Sequence, residues 1–360
     1  MLRGIEHAVR IRFLHTRYPH LGSHSGYVQF VQALDKNRFH CSVRASSGSD
    51  IDVPSWLVPA RPLYKQLVAR SQMPWYKQSD LHAELIAFGG GITGRFDIIH
   101  FLDGEHSGRY LPQLVKGSGS ARPKTVATFH QPPELLKDLL HVGSLRCLDQ
   151  IVLMSPSQLD FFRPYVAEEK LNVILHGVDT TFFGPKPRLN SSESVRCITV
   201  GHWLRDWRTF VHVARAMPEV QFDVVSSRDR VGESLANVQV HRDLDDAALA
   251  ALYREADILF LPLLESTANN ALLEGLASGL AIVASDLEAT RAYVPNGAAI
   301  LVENRPDDFV LAIRRLKTDP ALLQEMKTRA RVRAEELSWP RLARSYEALY
   351  SRLAAPRAGR

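Results

Sequence analysis

In the stretch ESTANNALLEGLASGLAIVASD, residues 265–286, two acidic residues, Glu265 and Glu274, flank the start of a short helix pattern. Thr267, Asn269 and Asn270 are residue types that cap helix starts, because a side-chain oxygen accepts from an amide of the first turn. A helix is expected from about Asn270 to Ser278, with Leu272, Leu273 and Leu276 facing inward and Gly279 ending it. The first amides of such a helix have no partner within it, and its dipole favours negative charge, so a phosphate suits that place. Glu274 lies one turn inside. A carboxylate cannot help a phosphate, but it can accept hydrogen bonds from two ribose hydroxyls beside it. It can equally serve only to complement the helix dipole, and spacing alone does not choose.

Further groups with chemistry stand at the ends of apolar runs. In TFHQPPE (128–134), His130 closes such a run and Pro132–Pro133 stiffen the exit. A strand-end His is more often a structural hydrogen-bond partner than a catalytic group. HFLDGEH (100–106) offers Asp103, Glu105 and His106, each able to bind hydroxyls of a ligand, though each alone is more often an ordinary solvated loop residue. GSHSGYVQFVQALDK (22–36) sets Gly26 just before an amphipathic pattern, as ordinary strand-to-helix geometry also would.

Those groups need elements to hold them. Apolar runs recur at 11–14, 96–102, 125–130, 150–155 and 172–177, then again at 195–201, 220–227, 238–241, 257–264, 281–286 and 298–303. Helix-period segments such as 245–256 and 306–337 lie between them. Short β-branched runs alternating with amphipathic helices predict parallel sheets with helices on both faces. The stretch GPKPRLNSSES (184–194) is the best linker, which gives two doubly wound Rossmann-like domains. Ligands of such sheets sit outside the carboxyl ends of the strands, so two facing domains would make a central cleft.

Composition narrows the function classes. The 360 residues are 45% hydrophobic and 23% charged, with net charge +5, and the Lys and Arg residues are scattered rather than blocked. That fits an anionic small ligand or contact with an acidic membrane surface, and no nucleic-acid motif is present. Cys41, Cys147 and Cys197 follow no metal or disulfide spacing, which points to a reducing, cytoplasmic compartment. The first residues, MLRGIEHAVRIRFL, lack the apolar run of a signal peptide, and no run approaches the ~20 residues of a membrane span. The segment 59–89 is basic, carries Trp75 and Tyr76, and reads as a solvated helical pair or as a surface for acceptor or lipid.

ALLEGLASGLAIVASD resembles the nucleotide-sugar signature of GT-B glycosyltransferases of the family-four type. ILHGVDTTFF (174–183), LAALYREADILFLPL (249–263) and LSWPRLARSYEALYSRL (337–353) resemble the family's segments leading into the linker, preceding the signature and closing the chain. The resemblance implies a retaining transferase that moves a sugar from a nucleotide diphosphate sugar to a hydroxyl of a glycan, glycolipid or small glycoside. No metal or other cofactor is implied, and Asp50–Asp52 is read as surface. The implied domains are 1–186 on the acceptor side, 187–338 for the nucleotide sugar, and 339–360 as a helix returning to the first domain.

By this resemblance Glu274 binds ribose, and Asn269, Asn270 and Ala271 bind diphosphate. The family's first Glu, on the transferred sugar, falls on Ser266, with the carboxylate one place earlier at Glu265 and Thr267 beside it. In VGHWLRDWRTF (200–210) Gly201 matches the family, but His202 replaces its Arg and Trp207 its Lys, which leaves Arg205 first and Arg208 second as phosphate cations. Arg242 is a candidate for the base edge, Gly26 for the diphosphate, and His130 for the donor sugar. A GT-B nucleotide-sugar epimerase and a non-catalytic nucleotide-sugar binder are the alternatives, the latter because of the shifted Glu265 and the missing Gly-Arg pair.

Overall fold

A computed structural model describes residues 8–17, 23–50, 55–119, 122–185, 195–226, 231, 234–294 and 297–355. Contacts divide the chain into two compact units, one of Met1–Leu21, Tyr27–Leu175 and Leu342–Arg360, the other of Gly22–Gly26 and His176–Arg341. The linker composition predicts a boundary at 186/187 and the family resemblance one at 338/339, and most of the expected linker, 186–194, lies outside the described residues.

In the first unit, six parallel strands are ordered β2-β1-β3-β4-β5-β6. They are β1 Val9–Thr16, β2 Phe39–Ser46, β3 Ile98–Phe101, β4 Lys124–Phe129, β5 Gln150–Leu153 and β6 Leu171–Val173. The central β3 is wholly buried, as a strand covered on both faces must be, and so reads as a continuous apolar run. Strand β2 was not expected. Its sequence FHCSVRAS alternates, and only Phe39 and Ser46 at its ends are buried, because an edge strand pairs on one side only.

The closing helix Trp339–Ala354 contributes to this unit through two tyrosines. Tyr27 donates to the hydroxyl of Tyr346 at 2.6 Å, and Tyr350 bonds His100 Nδ1 at 2.7 Å. The other ring nitrogen of His100 meets Thr128 Oγ1 at 2.8 Å. Burial pushes the pKa of His100 down to about 3, so the ring is neutral and bridges a tyrosine and a threonine across the sheet.

The segment 59–89 departs from the solvated pair. It forms helices Arg61–Ala69 and Gln78–Ile92, and Tyr76 and most of the second helix's first half are buried. Two acids go in with it. Asp80 accepts from Ser46 Oγ at 2.5 Å and from the Lys77 amide at 2.9 Å. Glu84 accepts from four successive amides, Gly108, Arg109, Tyr110 and Leu111, where helix Leu111–Gly117 begins. Burial pushes both carboxyls up, Asp80 to about 7, while these donors pull them down. Asp50 accepts from the Gln78 amide and is exposed, and residues 51 and 52 lie outside the described residues.

In the second unit, six parallel strands are ordered β12-β11-β10-β7-β8-β9. They are β7 Arg196–Val200, β8 Gln221–Val225, β9 Val238–His241, β10 Ile258–Leu261, β11 Ala281–Ser285 and β12 Ala299–Val302. Phe210, Phe222, Phe260 and Phe309 fill one face of this sheet in edge contacts, with Phe210 stacked on Phe260. The helical pattern 306–337 is broken into Pro306–Thr318 and Pro320–Glu336, since Asp319 caps the second helix through the Leu322 amide and Pro320 starts it. His176 of HGVD is buried beside Trp339, whose ring leaves no room for a side chain at Gly177, where an added Cβ would stand 2.5 Å away. Among the described residues no helix is long and apolar enough to cross a membrane.

Candidate functional site

The strand order of the second unit reverses between β7 and β10, and the loops leaving those two strands meet there. Arg205 and Leu263 form an antiparallel bridge across this point, with the Asp206 amide on Pro262 O and the Leu264 amide on Leu204 O. Open α/β sheets bind ligands at such a switch point.

The helix after β10 runs Asn270–Ala277, within a residue of expectation. Asn269 is its cap and accepts from the Leu272 amide at 3.3 Å. Gly279, at φ +72, ends it, and the Leu280 amide returns to Gly275 O. Ala271 through Ala277 are all buried, and a Cβ on Gly275 would stand 2.6 Å from Leu259, so the helix sits tight on β10. The first-turn amides of Asn270 and Ala271 point out of the helix start without an intrahelical acceptor. In the approach, Ser266 and Thr267 are buried, and Thr267 Oγ1 makes no hydrogen bond among the described residues. A buried hydroxyl without a partner is uncommon in a folded protein.

Glu274 is buried at 4% exposure, and both its carboxylate oxygens are met by hydroxyls. Ser25 Oγ donates to Oε1 at 2.6 Å and Tyr253 OH to Oε2 at 2.9 Å. Burial pushes its pKa up to about 7, the two hydroxyls and Arg205 oppose the rise, and Asp246 adds to it. Ser25 comes from the segment 23–26, which contacts assign to the second unit. Neighbouring His24 stacks on Phe182 at 3.6 Å and bonds Asp179 of HGVD at 2.8 Å, and Gly26 follows at φ +104, a conformation that favours glycine. Sequence reasoning singled out Gly26 here but passed over Ser25 and Tyr253.

Arg205 does not present its guanidinium outward as expected. It is buried, with Nε and Nη2 on Val200 O at 3.0 and 2.6 Å and Nη1 on Trp203 O at 3.0 Å. Nη2 also reaches Asn269 Oδ1 at 3.4 Å, tying this loop to the helix cap. Gly201 at φ +87 and Leu204 at φ +56 give the loop its tight path, and a Cβ on Gly201 would stand 3.0 Å from Nη2. Burial lowers the pKa of Arg205 to about 10, so it stays charged at neutral pH. Arg205 is therefore first a brace of the loop and second a positive charge behind the helix start.

The remaining second-unit candidates are at the surface. Glu265 is exposed and makes no hydrogen bond or ion pair among the described residues. Arg208 is exposed and lines a shallow groove with Trp207, Val211, His212 and Arg215 along helix Trp207–Ala216. Arg242 is exposed just past β9.

In the first unit the candidates gather at the carboxyl ends of β1, β3 and β4, but the carboxylates are not solvated loop residues. Asp103 is buried and holds His15 Nδ1 at 2.9 Å and the Thr16 amide at 2.8 Å across the β1–β3 switch point. Its pKa is lowered: burial, the largest single influence, raises it, but the bond from His15 and the other partners together outweigh that. Glu105 is buried on the amides of His130 and Gln131, at 2.5 and 2.8 Å. His106 is half-buried, tilted against Trp75 at 5.1 Å, and burial lowers its pKa. His130 bonds Leu102 O through Nε2 at 2.7 Å and meets the Tyr27 ring edge-on. Asp103 and Glu105 thus spend their acceptors on the protein itself.

A family model described as glycosyl transferases group 1 matches residues 200–319, inside the second unit and spanning both loops of the switch point. The chain is 24% identical to the phosphatidyl-myo-inositol mannosyltransferase of Mycolicibacterium smegmatis, over 88% of this chain and 86% of that one. Its fold is similar to that of sucrose-phosphate synthase from Thermosynechococcus elongatus, with a TM-score of 0.73, 17% identity and coverage of 96% and 99% of the two chains. It is also similar to Anabaena HepE in complex with UDP, with a TM-score of 0.64, 13% identity and coverage of 96% and 100%. Two six-stranded parallel sheets, each flanked by helices, define the GT-B fold. Together with the matched domain and the mannosyltransferase relative, they make this chain a glycosyltransferase.

Proposed function

We propose that the second unit binds a nucleotide diphosphate sugar at the β7–β10 switch point, with ribose on Glu274 and diphosphate on the start of helix Asn270–Ala277. The observation that carries this is the buried Glu274 carboxylate. Its protein partners are hydroxyls, the chemistry that a ribose would offer in turn. The Asn270 and Ala271 amides, the orphan hydroxyl of Thr267 and the charge of Arg205 would neutralise the leaving diphosphate. In retaining transfer the bond from the anomeric carbon to the diphosphate oxygen breaks and a bond to the acceptor oxygen forms on the same face. A leaving-phosphate oxygen takes the acceptor proton. Such chemistry relies on stabilised phosphate and close positioning rather than on a dedicated base or a metal.

Of the first-unit candidates, His130, which the resemblance sets near the donor sugar, is half-buried rather than buried. The mannosyltransferase relative supports a mannosyl group as the first sugar to try, and the UDP complex of HepE supports a nucleoside diphosphate. A cytoplasmic enzyme working on a lipid-linked or soluble glycan is consistent with the chain's composition.

The test is calorimetry with UDP, ADP and GDP and their glucose and mannose derivatives, followed by product analysis with a chelator present. Selective micromolar binding of one nucleotide sugar and chelator-insensitive transfer with retained anomeric configuration are expected. Folded protein that binds none of them would end this reading.

A pH dependence follows. Below about 7 Glu274 is protonated and can accept less; above it the carboxylate can accept from both ribose hydroxyls. Affinity for the nucleotide should therefore rise severalfold between pH 6 and pH 8, and a flat or falling profile would contradict the assignment. Stability runs the other way, because a carboxyl whose pKa is raised on folding loses its stabilising proton uptake as pH climbs from the ordinary carboxyl range to about 7.

A further inference from the structure

Tyr253 lies on helix Asp246–Glu255, away from the loops that carry the other candidates, and is fully buried. Its ring meets Phe183 edge-on, with centroids 6.0 Å apart, and Phe183 in turn meets Phe182 at 5.1 Å. These rings fix the direction of the hydroxyl, which ends 2.9 Å from Glu274 Oε2. The other oxygen, Oε1, faces the exchangeable donor, Ser25 Oγ, which is only half-buried. A carboxylate on a helix has rotational freedom about its last bonds. A rigid phenol on one oxygen removes that freedom and sets where the other points.

Resting on the ribose reading of Glu274, we propose that Tyr253 is a positioning residue for nucleoside recognition: it holds one carboxylate oxygen so that the other is aimed at the ligand's ribose. Ser25 and Tyr253 therefore have different parts. Ser25 gives way to a ribose hydroxyl, whereas Tyr253 stays. The charged and titratable groups acting on Glu274 besides Tyr253 are Asp246 and Arg205, which oppose each other. Removing the phenol leaves the carboxylate short of one donor and shifts its titration upward.

The test is Tyr253→Phe, which keeps the ring and its contacts. Binding of UDP, ADP and GDP is compared with binding of their 2′,3′-dideoxy forms, in wild type, Tyr253→Phe, Glu274→Gln and the double variant. The variant should bind the preferred ribonucleotide roughly tenfold more weakly, as loss of a hydrogen bond to a charged group predicts. Turnover at saturating donor should change little, and the pH at which binding develops should move up. The dideoxy form should bind wild type and variant alike, and Tyr253→Phe should add nothing in the Glu274→Gln background. Equal weakening on the dideoxy form, or full additivity with Glu274→Gln, would show a merely structural tyrosine and overturn the proposal. Unchanged binding by Tyr253→Phe would overturn it while leaving the donor site standing. Absence of nucleotide binding in the wild type would overturn both.

Discussion

Glu274→Gln should weaken binding of the nucleotide diphosphate by at least ~100-fold while leaving the protein folded. Two hydrogen bonds from ribose to a carboxylate are worth about 3 kcal/mol or more together, which is the origin of that factor. The amide keeps the size of the side chain but replaces one acceptor with a donor, so it cannot serve both ribose hydroxyls. Stability should move little, or upward at pH 8, because the substitution removes a charge that burial already disfavours. Calorimetry with the preferred nucleotide reads the first effect and thermal unfolding the second. Affinity within a few-fold of wild type would return Glu274 to the role of a dipole-complementing residue.

Arg205→Ala has the opposite signature. The guanidinium joins Val200 O, Trp203 O and Asn269 Oδ1, and its removal takes two donors from the buried Val200 O and one from Trp203 O inside a loop with two left-handed residues. Each such loss costs about 1–3 kcal/mol, so the folded state should lose about 3 kcal/mol or more. A urea titration should show the midpoint drop sharply, with nucleotide affinity falling as well because the helix cap is no longer tied down. Arg205→Lys should recover the charge but not the span across both carbonyls, and so only part of the stability. An unchanged midpoint for Arg205→Ala would mean that the side chain is an exposed phosphate ligand after all.

These two residues also mark where sequence stops being readable. The strands that hold the site are buried on both faces, so DILFLPLL and AIVASD stand out as apolar runs. The helix at 270 is equally legible, since Asn before it and Gly after it satisfy needs that are local to its ends. Strand β2 hides because an edge strand does not have to be apolar. The partners of Glu274 hide for another reason. Ser25 is 249 residues away in the chain, and the helix pattern shows Tyr253 only as an inward-facing ring. Where its hydroxyl ends is decided by Phe183, which no periodicity reports. A small signal for Arg205 was present in Gly201, whose missing side chain leaves room for the guanidinium. Reading Asp103 and Glu105 as solvated failed because their partners are backbone amides and His15, contributed by the end of β1 and the residues just after β4.

Glu84 bears on why two units of similar architecture need not do similar work. In the first unit a helix start after β3 offers its amides to a carboxylate supplied by the chain itself, four donors on one side chain. That place is permanently filled by a tenant made of protein, and a phosphate would have to evict a residue anchored deep in a helix. In the second unit the comparable helix start has only the short amide side chain of Asn269, bonded at 3.3 and 3.4 Å. The same kind of helix start is thus stoppered by protein in the first unit and left open in the second, where the proposed diphosphate would bind.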